Sequence, residues 1–213
     1  TKNRCGVFLN QSIIIFMDDF EDGTLAPWSK SGVGVAGVSD HTANSGSKSM
    51  YTRGGSLYCT SPVLDLSRYD FATINCWIRR GSDAFSENPD NGDDLKVQYK
   101  DSGSSWKDLV QYLGNGVPGQ IYKPTFHLPA GALHSSFQMR LYQTDGSGRT
   151  DYWHIDDVYI IARTYSNNNI IRHNTLNTNE QGIWVNGSGG NIIEHNKIFS
   201  NNDRMGICIQ SAL

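Results

Sequence analysis

Two octets near the C-terminus restrict the fold of this chain more than any other feature. Asn169-Ile170-Ile171-Arg172-His173-Asn174-Thr175-Leu176 recurs as Asn191-Ile192-Ile193-Glu194-His195-Asn196-Lys197-Ile198, an offset of 22 residues kept at every position. Each octet leads through an Asn-containing turn to a glycine-led apolar run, Gly182-Ile183-Trp184-Val185 and Gly206-Ile207-Cys208-Ile209. Short β segments and polar turns at such a period suit one coil of a parallel β-helix, in which each coil buries its apolar side chains only against its neighbours. Stacking in register then sets His173 on His195, Arg172 on Glu194 and Asn174 on Asn196, the last as a hydrogen-bonded ladder. Two coils alone bury too little to be stable.

The N-terminus carries the same signature. Cys5-Gly6-Val7-Phe8-Leu9-Asn10-Gln11-Ser12 reads like the end of a coil beside Gly182-Ile183-Trp184-Val185-Asn186-Gly187-Ser188. Joined on paper to Ser166-Asn167-Asn168-Asn169-Ile170-Ile171, Ser12 gives the form of Ser188-Gly189-Gly190-Asn191-Ile192-Ile193. The repeat therefore continues as though the intervening residues were absent. This predicts a domain inserted into a turn of a β-helix, which is tolerated because a domain's termini usually lie close together at its surface. The expected organisation is a coil fragment over 1–12, an inserted domain over 13–165, and β-helix repeats over 166–213. Mid-coil termini suggest a piece of a longer repeat protein, or a unit whose open ends other chains complete. The repeats resemble the right-handed parallel β-helix repeats of secreted and surface carbohydrate-active proteins, including archaeal surface-layer-type proteins and disaggregatases.

The insert reads as nine short strands, from Ile13–Phe16 to Trp153–Ile161, each bounded by Gly, Pro, Asn or Asp. With 22 Gly, and few helix-favouring stretches, the class is all-β and nine strands imply a sandwich. Asp101-Ser102-Gly103-Ser104-Ser105-Trp106 is a hairpin signal, with Gly103 expected at positive φ. Four segments follow in order: Asp18-Asp19-Phe20-Glu21-Asp22-Gly23 with Pro27-Trp28; Asn44-Ser45-Gly46-Ser47-Lys48-Ser49-Met50; Ser61-Pro62-Val63-Leu64-Asp65-Leu66; and His154-Ile155-Asp156-Asp157-Val158-Tyr159-Ile160. This series resembles the jelly roll shared by MAM-like domains and several carbohydrate-binding modules. That resemblance implies a structural calcium between the first-strand Phe-Glu and the last-strand Asp-Asp, with backbone carbonyls from the Ser-Gly-Ser segment. The implied metal set is Asp19, Glu21, Ser47, Lys48, Asp156 and Asp157.

The residues themselves agree with that chemistry. Calcium takes six to eight oxygen ligands from converging segments, and clustered carboxylates without a cation repel one another. Outward-pointing acidic turns are the alternative. Asp156 and Asp157 alternate faces in a regular strand, so one of them is expected as a side-chain ligand. Asp156 is the first choice, because it would share a face with Val158 and Ile160.

Net charge of −3 gives no electrostatic footprint for nucleic acid or anionic lipid. The longest apolar run, Ile13–Met17, is far short of the roughly 20 residues of a membrane span. No Gly-x-Ser-x-Gly elbow, His-Glu-x-x-His helix or phosphate loop occurs, which lowers the prior for an enzyme. Asp90, Asp93, Asp94 and Asp145 are read as loop residues, and Asp90-Asn91-Gly92-Asp93-Asp94 as a turn or a second cation loop. Trp28 and Trp77 are expected to pack, which leaves Trp106 and Tyr112 as candidate saccharide rings. Cys59 and Cys76 lie on neighbouring predicted strands within pairing reach, whereas Cys5 and Cys208 are offset and read as buried thiols.

Three functions remain. The first is a calcium-stabilised extracellular or cell-surface module, non-catalytic, binding polysaccharide or another surface. The second is a self-assembling subunit of a filament, tube or surface layer completed by strand addition. The third is part of a polysaccharide lyase or glycoside hydrolase, with Arg172, His173, Glu194 and His195 along a groove.

Overall fold

The computed structural model describes residues 5–9, 11–81, 86–145, 150–165, 167–179, 181–186, 190–200 and 206–210. The chain divides into two compact units, one of residues 14–162 and one of residues 1–13 with 163–213. Among the described residues no helix is long and apolar enough to cross a membrane.

The first unit is a sandwich of two sheets. One sheet runs in the order Ile121–Tyr122, Phe71–Arg80, Tyr152–Thr164, Ser49–Arg53, Val35–Ser39, with Thr125–His127 also on Phe71–Arg80 and Gln11–Asp18 on Tyr152–Thr164. The other runs Ser29–Gly32, Leu57–Thr60, Met139–Gln143, Leu95–Lys100, Trp106–Tyr112, every pair antiparallel. Alternation decides which face is buried. Ala72, Ile74, Cys76 and Ile78 from one sheet meet Cys59, Leu95, Val97, Met139 and Leu141 from the other in a single core. Trp28 and Trp77 are buried, as expected, and the Trp28 indole donates to Asp18 Oδ2 at 2.8 Å.

All nine predicted runs are strands, although the run over Gln120–His127 breaks in two at Lys123-Pro124. Ser29–Gly32 and Val35–Ser39 escape the sequence reading because Gly32, Gly34 and Gly37 dilute their apolar pattern. In the hairpin after Lys100 it is Ser104, not Gly103, that takes positive φ (64°), while Asp101 Oδ1 accepts the Ser105 N–H. Cys59 and Cys76 do not pair: they belong to opposite sheets and both are free thiols. Cys208 is likewise free, and its strand sets it beside Trp184 and not beside Cys5.

The second unit is built from parallel pairs. Ile170–Arg172 lies beside Ile192–Glu194, Thr175–Asn177 beside Lys197–Phe199, and Gln181–Asn186 between Cys5–Leu9 and Ile207–Gln210. Arg172 is opposite Glu194, and the His173 and His195 rings stack at 5.3 Å, 6° from parallel. The Asn174 side chain donates to Asn196 Oδ1 at 3.0 Å, and Asn169 donates to Asn191 Oδ1 in the same way at 2.9 Å. Left-handed corners recur at the same spacing, at Asn168 and Gly190, His173 and His195, Thr178 and Ser200. Ile171, Ile183 and Val185 form this unit's own small core.

Candidate functional site

Two places in the sandwich unit gather chemically useful side chains. The first is the outer face of the five-stranded sheet. Met139, Leu141 and Gln143 point inward, so Arg140 and Tyr142 point out, beside Tyr58 and Thr60 on one neighbour and Lys96 and Gln98 on the other. Tyr58 and Tyr142 stack at 4.4 Å. The Arg140 guanidinium sits 4.4 Å from the Tyr58 ring centre and 4.1 Å from that of Trp106. Its Nε donates to Gln98 Oε1 at 2.5 Å, Gln98 donates in turn to Asp108, and Lys96 reaches Asp108 Oδ2 at 2.8 Å. These donors hold the Asp108 carboxyl below its ordinary range. The result is a half-exposed group of three rings around one planar cation, edged by amide, carboxylate and ammonium.

Trp106 thus falls where the sequence reading wanted a ligand ring, but Tyr112 does not. Tyr112 pairs with the buried Leu95 and packs against Tyr122 and Trp153, with ring centres at 4.2 and 6.3 Å, so it belongs to the core side. Arg140 and Tyr142 were the missed members, and Tyr58, one of the available rings, was not singled out. The signal for them was the strict alternation Met139-Arg140-Leu141-Tyr142-Gln143, which puts the two largest polar-tipped side chains on one face.

The second place is a cradle around the 44–48 segment. Asp18 Oδ1 accepts the Phe20 N–H and Asp19 Oδ1 the Glu21 N–H, which bends the chain so that Phe20 (φ 55°) enters the core and Glu21 faces away. Glu21 Oε1 accepts the backbone N–H groups of Ser47 and Lys48 at 2.8 and 2.6 Å, and Oε2 the Ser47 hydroxyl at 3.1 Å. Those donors hold the Glu21 carboxyl below its usual range. Gly46 sits at φ +59° directly against that carboxyl, where a Cβ would overlap it.

On the other side, Asp156 Oδ2 accepts the N–H groups of Asn44 and Ser45 at 2.7 and 3.2 Å. Asp157 takes the Ser45 hydroxyl at 2.7 Å and the Asn44 amide at 2.5 Å. Both carboxylates therefore serve one loop, contrary to the expectation that a regular strand would send them apart. The core positions of this strand run Trp153, Ile155, then Val158, Ile160, Ala162, a slip of one residue placed at Asp157, whose φ is +48°. Asp156 consequently shares no face with Val158. It is fully buried, and that burial pushes its carboxyl up to about 6.

Among the described residues no three acidic, His or Cys side chains converge on one point that could hold a metal ion. The side chains of the set are carboxylates, the kind of ligand a hard cation takes, while the loop between them turns N–H groups to Glu21 and Asp156, and the Lys48 ammonium donates to the Glu21 carbonyl at 3.0 Å. The Asp90–Asp94 segment is a turn, closed by the Asp93 N–H to the Asp90 carbonyl at 3.1 Å, and it turns Asp93 inward against Asp151. Both carboxyls are buried, so neither meets a polymer substrate.

Solved structures share this architecture. The K3 cleaved adhesin domain of Lys-gingipain from Porphyromonas gingivalis W83 is 18% identical over 71% of this chain and 99% of its own, with a TM-score of 0.53. The CBM22-1 xylan-binding domain of Paenibacillus barcinonensis Xyn10C is 16% identical over 73% of this chain and 97% of its own, with a TM-score of 0.50. The sandwich is thus a jelly roll of the type found in carbohydrate-binding and adhesin domains. Residues 35–161, more than half of the chain, match the family model Reelin subrepeat B, and the chain belongs to that family. Residues 150–212 match a second family model, Periplasmic copper-binding protein (NosD). A comparison with curated proteins found no match.

Proposed function

We propose that the jelly roll is a non-catalytic module that binds polysaccharide or another surface glycan at the cell exterior. The observation that carries this reading is the group of Tyr58, Trp106 and Tyr142 around Arg140 on the open sheet face. Sugars are held by rings under their C–H faces and by a few fixed polar groups at their hydroxyls, which is the composition of this face. The xylan-binding and adhesin domains of the same fold support it. We take the described strands of the second unit as coils of a right-handed parallel β-helix, a reading supported by the 22-residue Asn ladders and the recurring left-handed corners.

For the cradle we propose a structural calcium, held by Asp19, Glu21, Asp156 and Asp157 with carbonyls of Ser47 and Lys48. The ion would supply positive charge beside the buried Asp156 carboxyl and tie the end of the first strand to the last. Support comes from the carboxylates gathered on two segments around one loop and from the Asp156 hydrogen bonds, which among the described residues come from backbone N–H groups and not from a cationic side chain. Self-assembly by strand addition is the alternative reading.

The test is affinity electrophoresis and calorimetry against xylan and a panel of plant, algal and microbial polysaccharides. Retardation that Trp106→Ala and Tyr142→Ala each weaken at least tenfold, about 1.4 kcal/mol, supports the module. A double variant that binds as well as the parent overturns it. A melt with excess calcium against chelator tests the cradle, and size-exclusion chromatography under both conditions tests assembly.

A further inference from the structure

The outer face of the seven-stranded sheet, opposite the ring face, carries a trough of about 420 Å³. Its floor is Asn75 and Trp77, which alternate with the core residues Ile74, Cys76 and Ile78, together with Tyr159, which alternates with Val158 and Ile160. One wall is Asn44, Ser45 and Asp157, the same hydrogen-bonded group that closes the cradle. The facing wall exists because the neighbouring strand is interrupted. Ile121–Tyr122 pairs with Ile78 and Arg79, and Thr125–His127 pairs with Thr73 to Asn75, while Lys123-Pro124 between them keeps only a long bond from the Cys76 N–H to the Pro124 carbonyl, at 3.4 Å. Pro124 has no N–H to restore the ladder.

The trough mixes apolar and polar groups. Trp77 is only 3% exposed and Tyr159 is half-buried on its floor, and the polar groups it offers are hydroxyl, amide, carboxylate and ammonium. Charge is divided across it. Lys123 is exposed and makes no ion pair among the described residues, whereas Asp157 on the far wall is an acceptor already oriented by Asn44 and Ser45. A ligand that satisfies both walls carries hydroxyl donors on one side and an anionic group on the other. Its volume is within the roughly 300–1,000 Å³ of small-molecule sites.

We propose that this trough is a second saccharide site that takes an acidic sugar, with its carboxylate at Lys123 and its hydroxyls on Asp157, Asn44 and Tyr159. The choice of a saccharide over another polyhydroxylated anion rests on the glycan-binding reading above. The acidic preference rests on Lys123 alone and is a partly solvated pairing, worth about a 3- to 5-fold discrimination.

The experiment is an NMR titration of the ¹⁵N-labelled protein with three probes at millimolar concentration: xylohexaose, the same oligosaccharide bearing a glucuronate side group, and oligogalacturonate. At least one acidic probe is expected to shift the Trp77 indole signal and the amides of Asn44 and Asn75. Lys123→Gln is expected to weaken that response 3- to 5-fold and to leave any response at Trp106 and Tyr142 unchanged. Shifts at the ring face alone, or none with either acidic probe, overturn the proposal, as does a Lys123→Gln variant that binds the acidic probe like the parent. Trough shifts that persist in Trp106→Ala, with none at the ring face, sustain this site and overturn the ring-face reading instead.

Discussion

Replacing Asp151 by Asn should stabilise the sandwich unit at neutral pH and leave it unchanged in acid. Asp151 is 2% exposed and Asp93 3% exposed, and their carboxyls are hydrogen-bonded to each other where the Trp153 indole donates to the Asp93 carbonyl. Burial foremost, then the Asp93 carboxyl, with Asp90 and Glu87 adding negative charge, pushes Asp151 up to about 6 from an ordinary 3.8. Asp145 faces Asp93 with a further negative charge. Below 3.8 both folded and unfolded chains hold the proton, and the pair exacts no penalty. Between 3.8 and about 6 the folded state keeps a proton the unfolded chain has released, so stability falls as pH rises and the whole loss is in place above that window. At about 1.4 kcal/mol per unit the loss is about 3 kcal/mol at most, since the proton belongs to the pair and not to Asp151 alone. Asp156, pushed up to about 6 by burial, acts in the same direction and remains in the variant. For a unit of this size about 2–3 kcal/mol corresponds to a gain in Tm of roughly 5–10 °C at pH 7.5, with no difference at pH 3.5. The assay is a pair of calorimetric melts at the two pH values. An Asp151→Asn difference that is equal at both, or a loss at pH 7.5, refutes the argument.

Gly46→Ala should cost about 1–3 kcal/mol in Tm measurements, because it adds a Cβ at φ +59° against the Glu21 carboxyl. Asn196→Ala removes the acceptor of two Asn174 donors and the donor to the Ile171 carbonyl. Hydrogen exchange should accelerate at residues 170–177 while the sandwich amides keep their rates. Deleting Asp157 should leave a folded sandwich, since it restores regular alternation between Ile155 and Val158, at a loss of about 2 kcal/mol for two hydrogen bonds; a chain that no longer folds would mean that the strand has no slip. Cys59 and Cys76, whose thiols burial pushes up to about 12, should resist Ellman's reagent at pH 8 until the protein is unfolded.

The two units differed in how much of them the sequence revealed, and the reason is periodicity. In the C-terminal unit the residues of the first octet stack on those 22 positions later, so identity of type at that offset predicts contact directly: Asn169 with Asn191, His173 with His195, Asn174 with Asn196. Nothing in the sandwich repeats. Its strands were legible from local alternation, but which strands pair is fixed by long-range closure. Hence Cys59 and Cys76 were expected within reach although they lie in opposite sheets, and Tyr112 was expected outside although its partner Leu95 points in.

The slip at Asp157 is the most informative of these departures, because a single inserted residue positions both candidate sites. Read as a regular strand, Asp156 falls on the core face with Val158, and a carboxylate there needs a counter-charge from the core. Once the phase changes between them, Val158, Ile160 and Ala162 keep the core while Asp156 and Asp157 both turn to the loop at Asn44 and Ser45. Left-handed φ at a non-glycine residue is strained by about 1–3 kcal/mol and persists where its surroundings over-determine it. Here those surroundings are four hydrogen bonds from one loop to two adjacent carboxylates. Asp156 is thereby held to the cradle loop, and Asp157 stands between that loop and the trough, whose wall it forms. Period-two alternation does not predict that arrangement, since it requires one residue more than the pattern allows.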